Sequence, residues 1–147
     1  MSDLNTLVQL LEKFRALQRR LEHLETLETL AIIPWRDYSG SSTFVGWSAG
    51  TLNASVKYKK IGKLLFCQYN IYGTSNNATT TFTLPYISLD AANMLATCAA
   101  QDNGAIISNA VAYGGNPNIQ FYKDWNGTAF TASGAKRVWG QFFYETA

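Results

Sequence analysis

Apolar residues recur at spacings of three and four along the first quarter of the chain and alternate along much of the rest. Leu7, Leu10, Phe14, Leu17, Leu21 and Leu24 follow a 3-4-3-4-3 spacing, which makes them a and d positions of a helical heptad. A helix is predicted from Asp3 or Leu4 to Ala31 or Ile32, about 42 Å long at 1.5 Å per residue, with Ser2 or Asp3 as its N-cap. Leu27 and Leu30 then follow at threes, which compresses the repeat. Pro34 ends the helix and pushes Ile33 into an extended conformation. In this register Arg20 is a g residue and Glu25 the following e residue, so a cation can reach the carboxylate of a neighbouring helix. Leucine at both a and d leaves two, three and four strands open, and the Arg20/Glu25 pair favours three. A single amphipathic helix lying on the rest of the protein is the other reading, although a stripe this narrow suits self-association better.

From Trp35 onward, turn signals return every 8–12 residues, the mark of an antiparallel β-sandwich or jelly roll. Strands are expected at 43–48, 54–61, 63–72, 79–84, 94–101, 105–113, 118–123, 129–132 and 137–145. In the third of these Leu65, Cys67, Tyr69 and Ile71 share one face, opposite Leu64, Phe66, Gln68, Asn70 and Tyr72. In the last, Val138, Gly140, Phe142 and Tyr144 oppose Trp139, Gln141, Phe143 and Glu145. Aromatic rings on both faces of that strand imply that both are covered, one by the core and the other by neighbouring copies. The expected organisation is therefore a stalk over 1–33 and a β-sandwich head over 34–147.

Composition follows the same division. Residues 1–33 carry four basic and five acidic side chains; the remainder carries eight basic and five acidic ones, with every Trp, Tyr, Gly and Pro of the chain. Lys57, Lys59, Lys60 and Lys63 flank one turn and read as a solvated hairpin tip, so no nucleic-acid partner is expected. Cys67 and Cys98 lie in apolar runs, where free buried thiols are favoured over a bridge. The start Met1-Ser2-Asp3 does not resemble a signal peptide, and the run 30–35 is too short for a membrane span. A chain made in the cytoplasm, without membrane insertion, is the expectation.

His23 is the only histidine and falls at an outward c position, which leaves no histidine-based triad, base or metal site. Asp37, Asp90, Asp102 and Asp124 fall in predicted turns, and neither Asp102–Gly104 nor Asp124–Gly127 has enough oxygen ligands for calcium. No catalytic residue, metal or cofactor is expected, and the chain is not expected to be an enzyme. Aromatics in turns are a better clue to function. Trp125 at a hairpin tip, Tyr113 with Asn116 nearby, and Tyr86 after Pro85 suit contact with carbohydrate or protein, since rings stack on sugar faces and amides bond hydroxyls. Each ring could equally fold back over its own hairpin or fill an interface between copies.

The stretch Arg20-Leu21-Glu22-His23-Leu24-Glu25 resembles a trimerisation signature of short coiled coils. A short coiled coil leading into a compact β head resembles the receptor-binding tips of bacteriophage tail fibres. The β region adds to this: Val56-Lys-Tyr-Lys-Lys-Ile-Gly-Lys, Ile71-Tyr-Gly-Thr-Ser-Asn, Thr81-Phe-Thr-Leu-Pro and the closing Gly140-Gln-Phe-Phe-Tyr-Glu-Thr are similar to such domains. The resemblance covers roughly 35–147. It implies a homotrimeric virion component, attached through its N-terminal side, whose head binds a host-surface carbohydrate or protein. A purely structural head fibre, capsid-decoration or tail-assembly protein is the alternative. With every strand antiparallel, the turns near Gly62, 85–93, 114–117 and 133–136 share one end of the head. The turns near 74–77, 102–104 and 124–127, with the C-terminus, share the other. By analogy with jelly rolls of the tumour-necrosis-factor type, which keep both termini at the base, the first set would be distal.

Overall fold

A computed structural model describes residues 2–89, 94–115 and 117–147, with helix side chains described over 8–25. The chain divides into two compact units, Met1–Pro34 and Trp35–Ala147. The first contains helix α1 (Ser2–Ile32). Along it Leu10, Phe14, Leu17, Leu21 and Leu24 are each more than half exposed, so the stripe has no cover within its own unit. The side chain of Leu7 lies outside the described ones.

The second unit is all antiparallel β. Its strands are β1 (Arg36–Asp37), β2 (Phe44–Val45), β3 (Asn53–Ile61), β4 (Leu64–Thr74), β5 (Thr81–Thr83), β6 (Leu95–Asp102), β7 (Ala105–Gly115), β8 (Asn118–Tyr122) and β9 (Ala135–Glu145). Two separate sheets were the sequence expectation. Hydrogen bonding instead runs unbroken through nine strands in the order β1-β3-β4-β9-β6-β7-β8-β5-β2. The sheet curls over on itself, because Tyr69 of β4 meets Phe82 of β5 and Phe121 of β8 at ring-centroid distances of 5.6 and 5.3 Å, although these strands are far apart in that order. A register slip between Cys98 and Ala100 helps the bend, since bulges add local twist. Leu65, Cys67, Tyr69, Ile71, Val138, Phe142 and Tyr144 point into the core, on the faces that alternation assigned to them.

Gly140 sits opposite Tyr69 in the β4–β9 ladder, and the Tyr69 hydroxyl fills the space that a Cβ would take, 2.9 Å away. Gly140→Ala should therefore lower head stability by about 1–3 kcal/mol through overpacking. Urea unfolding followed by Trp fluorescence would measure it.

The structure corrects three expectations. The predicted strand at 129–132 is an irregular segment. Phe130 is buried there, but the Thr131 backbone nitrogen and hydroxyl bond the Asp102 carboxylate and its carbonyl accepts from Ser75 Oγ, so its polar groups go to side chains and not to a ladder. Without that strand, the parity count over the last connections is off by one. The 133–136 turn thus joins the end that holds 74–77 and 102–104, where Ser75 N donates to Gly134 O. The C-terminus joins the Gly62 end, where Thr146 N donates to Lys63 O and Ala147 N to Ile87 O. The expected strands 43–48 and 79–84 shrink to the short β2 and β5, and β1 was not expected.

Candidate functional site

The registers of β3, β4 and β9 stack outward-facing side chains in rows. Nearest the Gly62 hairpin come Ile61, Leu64 and Glu145, then Lys59, Phe66 and Phe143. A row of Lys57, Gln68 and Gln141 follows. Beyond it lie Ser55, Asn70 and Trp139, and finally Asn53, Tyr72 and Arg137, with Gln101 of β6 beside Arg137. The face is apolar at one end and turns to amides, rings and a guanidinium at the other.

The apolar end has a cleft. β6 and β9 pair only over 99–102 and 136–139, and beyond that point the two strands diverge. The opening, about 730 Å³, is lined by Phe66, Phe143, Leu95, Trp35 and Trp125 among others. Phe143 is 65% exposed, and Trp35, Trp125 and Leu95 are about half exposed. Trp35 is the first residue of the head and enters beside the Lys59 row, because Arg36 pairs with Tyr58.

At the opposite end, buried polar groups fix the loops. The Lys136 amine is almost fully buried and donates to Gly46 O at 3.1 Å, Asn77 O at 2.7 Å and Thr80 Oγ1 at 2.8 Å. The rings of Trp47 and Phe130 flank it. Burial pushes this amine down to about 8, against a smaller upward pull from Asp102. Gly46 is required there, since its φ of 103° suits glycine and a Cβ would run into the Thr79 carbonyl. Asp102, also buried, holds Thr131 and forms an ion pair with Lys123 at 3.2 Å. One cation and one carboxylate thus tie the 46–51, 75–80 and 130–135 segments into a rigid platform.

Of the sequence-predicted contact residues, two come together. The Tyr113 hydroxyl donates to Trp125 O at 3.4 Å, and the Tyr113 ring packs edge-on against Tyr122. Tyr86 stands apart: its ring meets Tyr58 edge-on and takes the Lys60 amine at 4.2 Å, so it closes its own corner of the sheet. Asn116 lies outside the described residues. Lys136 escaped sequence reading because a lysine beside a turn ordinarily reads as solvated. The row of Tyr72, Arg137 and Gln101 escaped it because three strands supply it.

The remaining reactive groups have local tasks. Hydrogen bonds from Ser39 hold Asp37 below the usual carboxylate range, and those from Thr128 and Asn126 do the same for Asp124. Cys67 and Cys98 are free and buried, and desolvation pushes their thiols up to about 12 and about 11. Among the described residues no three His, Cys, Asp or Glu side chains are grouped to hold a metal ion, and no helix is long and apolar enough to cross a membrane. No family model, curated protein or solved structure matches the chain.

Proposed function

We propose that the chain is a non-enzymatic, homotrimeric fibre or receptor-binding protein of a virion, of the bacteriophage tail-fibre type. Residues 1–33 form a parallel trimeric coiled coil, and 34–147 form a jelly-roll-like head that binds a host-surface carbohydrate or protein. The observation that carries this reading is the apolar stripe of α1, five large side chains each more than half exposed, with no cover within its own unit. Water disfavours such a seam, and two further copies of the same helix cover it. The head cleft adds support. Its exposed Trp35, Phe143 and Trp125 rings make an apolar face that neighbouring heads would cover. A jelly-roll description is supported by the winding, in which β9 lies between β4 and β6 and β8 between β7 and β5.

Binding of the labelled trimer to bacterial cells and to a glycan array tests the receptor claim. No binding at high micromolar head concentration removes it and leaves a structural decoration or assembly protein. Arg20→Ala should weaken the trimer by about 1–3 kcal/mol, since three exposed pairs at up to about 1 kcal/mol each are lost. Analytical ultracentrifugation over a dilution series measures the change.

A further inference from the structure

We infer that the concavity around Arg137 binds the carboxylate of an acidic saccharide. This rests on the receptor-binding reading and names the ligand class for the polar end of the same outer face. The concavity is about 620 Å³ and is lined by Arg137, Tyr72, Asn70, Gln101 and Thr51 among others.

Arg137 is held in place before any ligand arrives. Its Nε donates to Asn70 Oδ1 at 2.9 Å, and its guanidinium carbon lies 4.7 Å from the Trp139 ring centroid and 5.9 Å from that of Tyr72. Those contacts fix the plane of the fork. Among the described residues no carboxylate lies within ion-pair distance of it, and its terminal nitrogens bond no protein acceptor. Asp102, the nearest acid in the ladder, stands opposite Lys136 in register, and its carboxylate is taken by Thr131 and Lys123 on the other side of the sheet. A half-buried guanidinium, stacked and tethered at one edge, presents its other edge to an anion, and a carboxylate matches that edge with two parallel hydrogen bonds.

The surroundings select a sugar. Tyr72 is 44% exposed and offers a ring face to apolar C–H groups of a pyranose. Gln101 donates to Gly104 O at 3.1 Å, which leaves its side-chain oxygen to accept from a hydroxyl. Thr51 is already committed, accepting from Thr74 N and donating to Ser48 O. Phosphopeptide sites use clustered cations. Among the residues lining this concavity only one cation faces it, because the Lys136 amine is sequestered on the inner side and Lys57 borders the neighbouring hollow. One negative charge on a polyhydroxylated ring fits that inventory. The site also lies six residues along β9 from Phe143, about 20 Å, past the row where the apolar surface ends at Gln68 and Gln141. A contact between heads over the apolar rows therefore leaves it open, and three copies raise avidity for a repeating polymer.

The test uses the full-length chain and a panel of acidic saccharides, each paired with its carboxyl-reduced counterpart, read by glycan array and titration calorimetry. At least one acidic member should bind at least tenfold more tightly than its reduced partner. That preference should weaken with salt and be lost in Arg137→Gln. Arg137→Lys, which keeps the charge and loses the fork, should retain only part of it, and covers the case in which Arg137→Gln fails to fold. Equal binding of acidic and reduced forms, a preference for sulfated over carboxylated sugars, or full affinity in a folded Arg137 variant overturns the inference. If host cells bind the trimer while no acidic sugar does, the receptor reading survives and this site assignment falls.

Discussion

Lys136→Met lowers the stability of the head by about 3–5 kcal/mol at pH 7, a large share of the 5–15 kcal/mol that a domain has. Methionine fills the volume of the lysine stem but donates nothing. The Gly46 and Asn77 carbonyls and the Thr80 hydroxyl lose their charged donor, at about 1.5–3 kcal/mol each before the relief of the amine's own burial is subtracted. They keep only the longer bonds with Asn76 N, Ser75 Oγ and Ala78 O. The same residue gives stability an unusual pH profile. Folding depresses the amine from 10.5 to about 8, so between these values the unfolded chain binds more protons and stability rises with pH. Cys67 and Cys98 act in the opposite sense. Their thiols rise from 9.0 to about 12 and about 11, so above pH 9 the unfolded chain loses protons that the folded one keeps, and stability falls. The Tyr69 and Tyr144 hydroxyls, also raised by burial, add a further fall above pH 10, so one rising and four falling contributions place a maximum near pH 9. Replacing both cysteines by alanine should move the maximum towards pH 10, and Lys136→Met should remove the rise above pH 8. Urea midpoints from pH 7 to 11 at one protein concentration decide this; a flat profile in the wild type would remove Lys136 from the account.

A second large effect is expected when two seam residues of the helix become acidic. Leu17→Asp with Leu21→Asp brings six carboxylates into a trimeric seam, and the desolvation of each costs several kcal/mol. The coil should dissociate at any accessible concentration. In that background the heads should still associate weakly through the Trp35–Phe143 faces, with a dissociation constant in the micromolar range or above. Adding Phe143→Lys should make the chain monomeric. Phe143 is 65% exposed, so the lysine disturbs no core, and circular dichroism should be unchanged. If the coil-broken chain is monomeric with or without Phe143→Lys, the heads do not associate and α1 alone joins the copies.

Much of the fold was legible where a local rule was enough. The heptad spacing and Pro34 bounded α1 to within a residue or two, and strict alternation assigned the inner faces of β4 and β9 correctly. The misses share a cause, which is that pairing between distant segments leaves no local trace. Segment 129–132 alternates like a strand, yet Asp102, 29 residues away, takes the Thr131 backbone nitrogen that a ladder would have used. Miscounting that one strand reversed the placement of two loop ends. Arg137 opens the expected strand 137–145, and only the registers set it beside Tyr72 and Gln101. For Tyr86 and Trp125 the sequence left two readings open, a contact residue or a ring folded over its own hairpin or into an interface. Tyr86 is occupied by Lys60 and Tyr58, and Trp125 lines the apolar cleft. Sequence position shows that a ring sits in a turn, not which neighbour folds under it.

Trimerisation underlies the proposed fibre reading and the avidity proposed for a receptor site. Mass in solution, measured by sedimentation equilibrium from about 1 to 100 micromolar, tests it most directly. The expected result is one species of about 49 kDa, three times the 16.3 kDa chain, persisting to the lowest concentration. A monomer or a dimer across that range would contradict it.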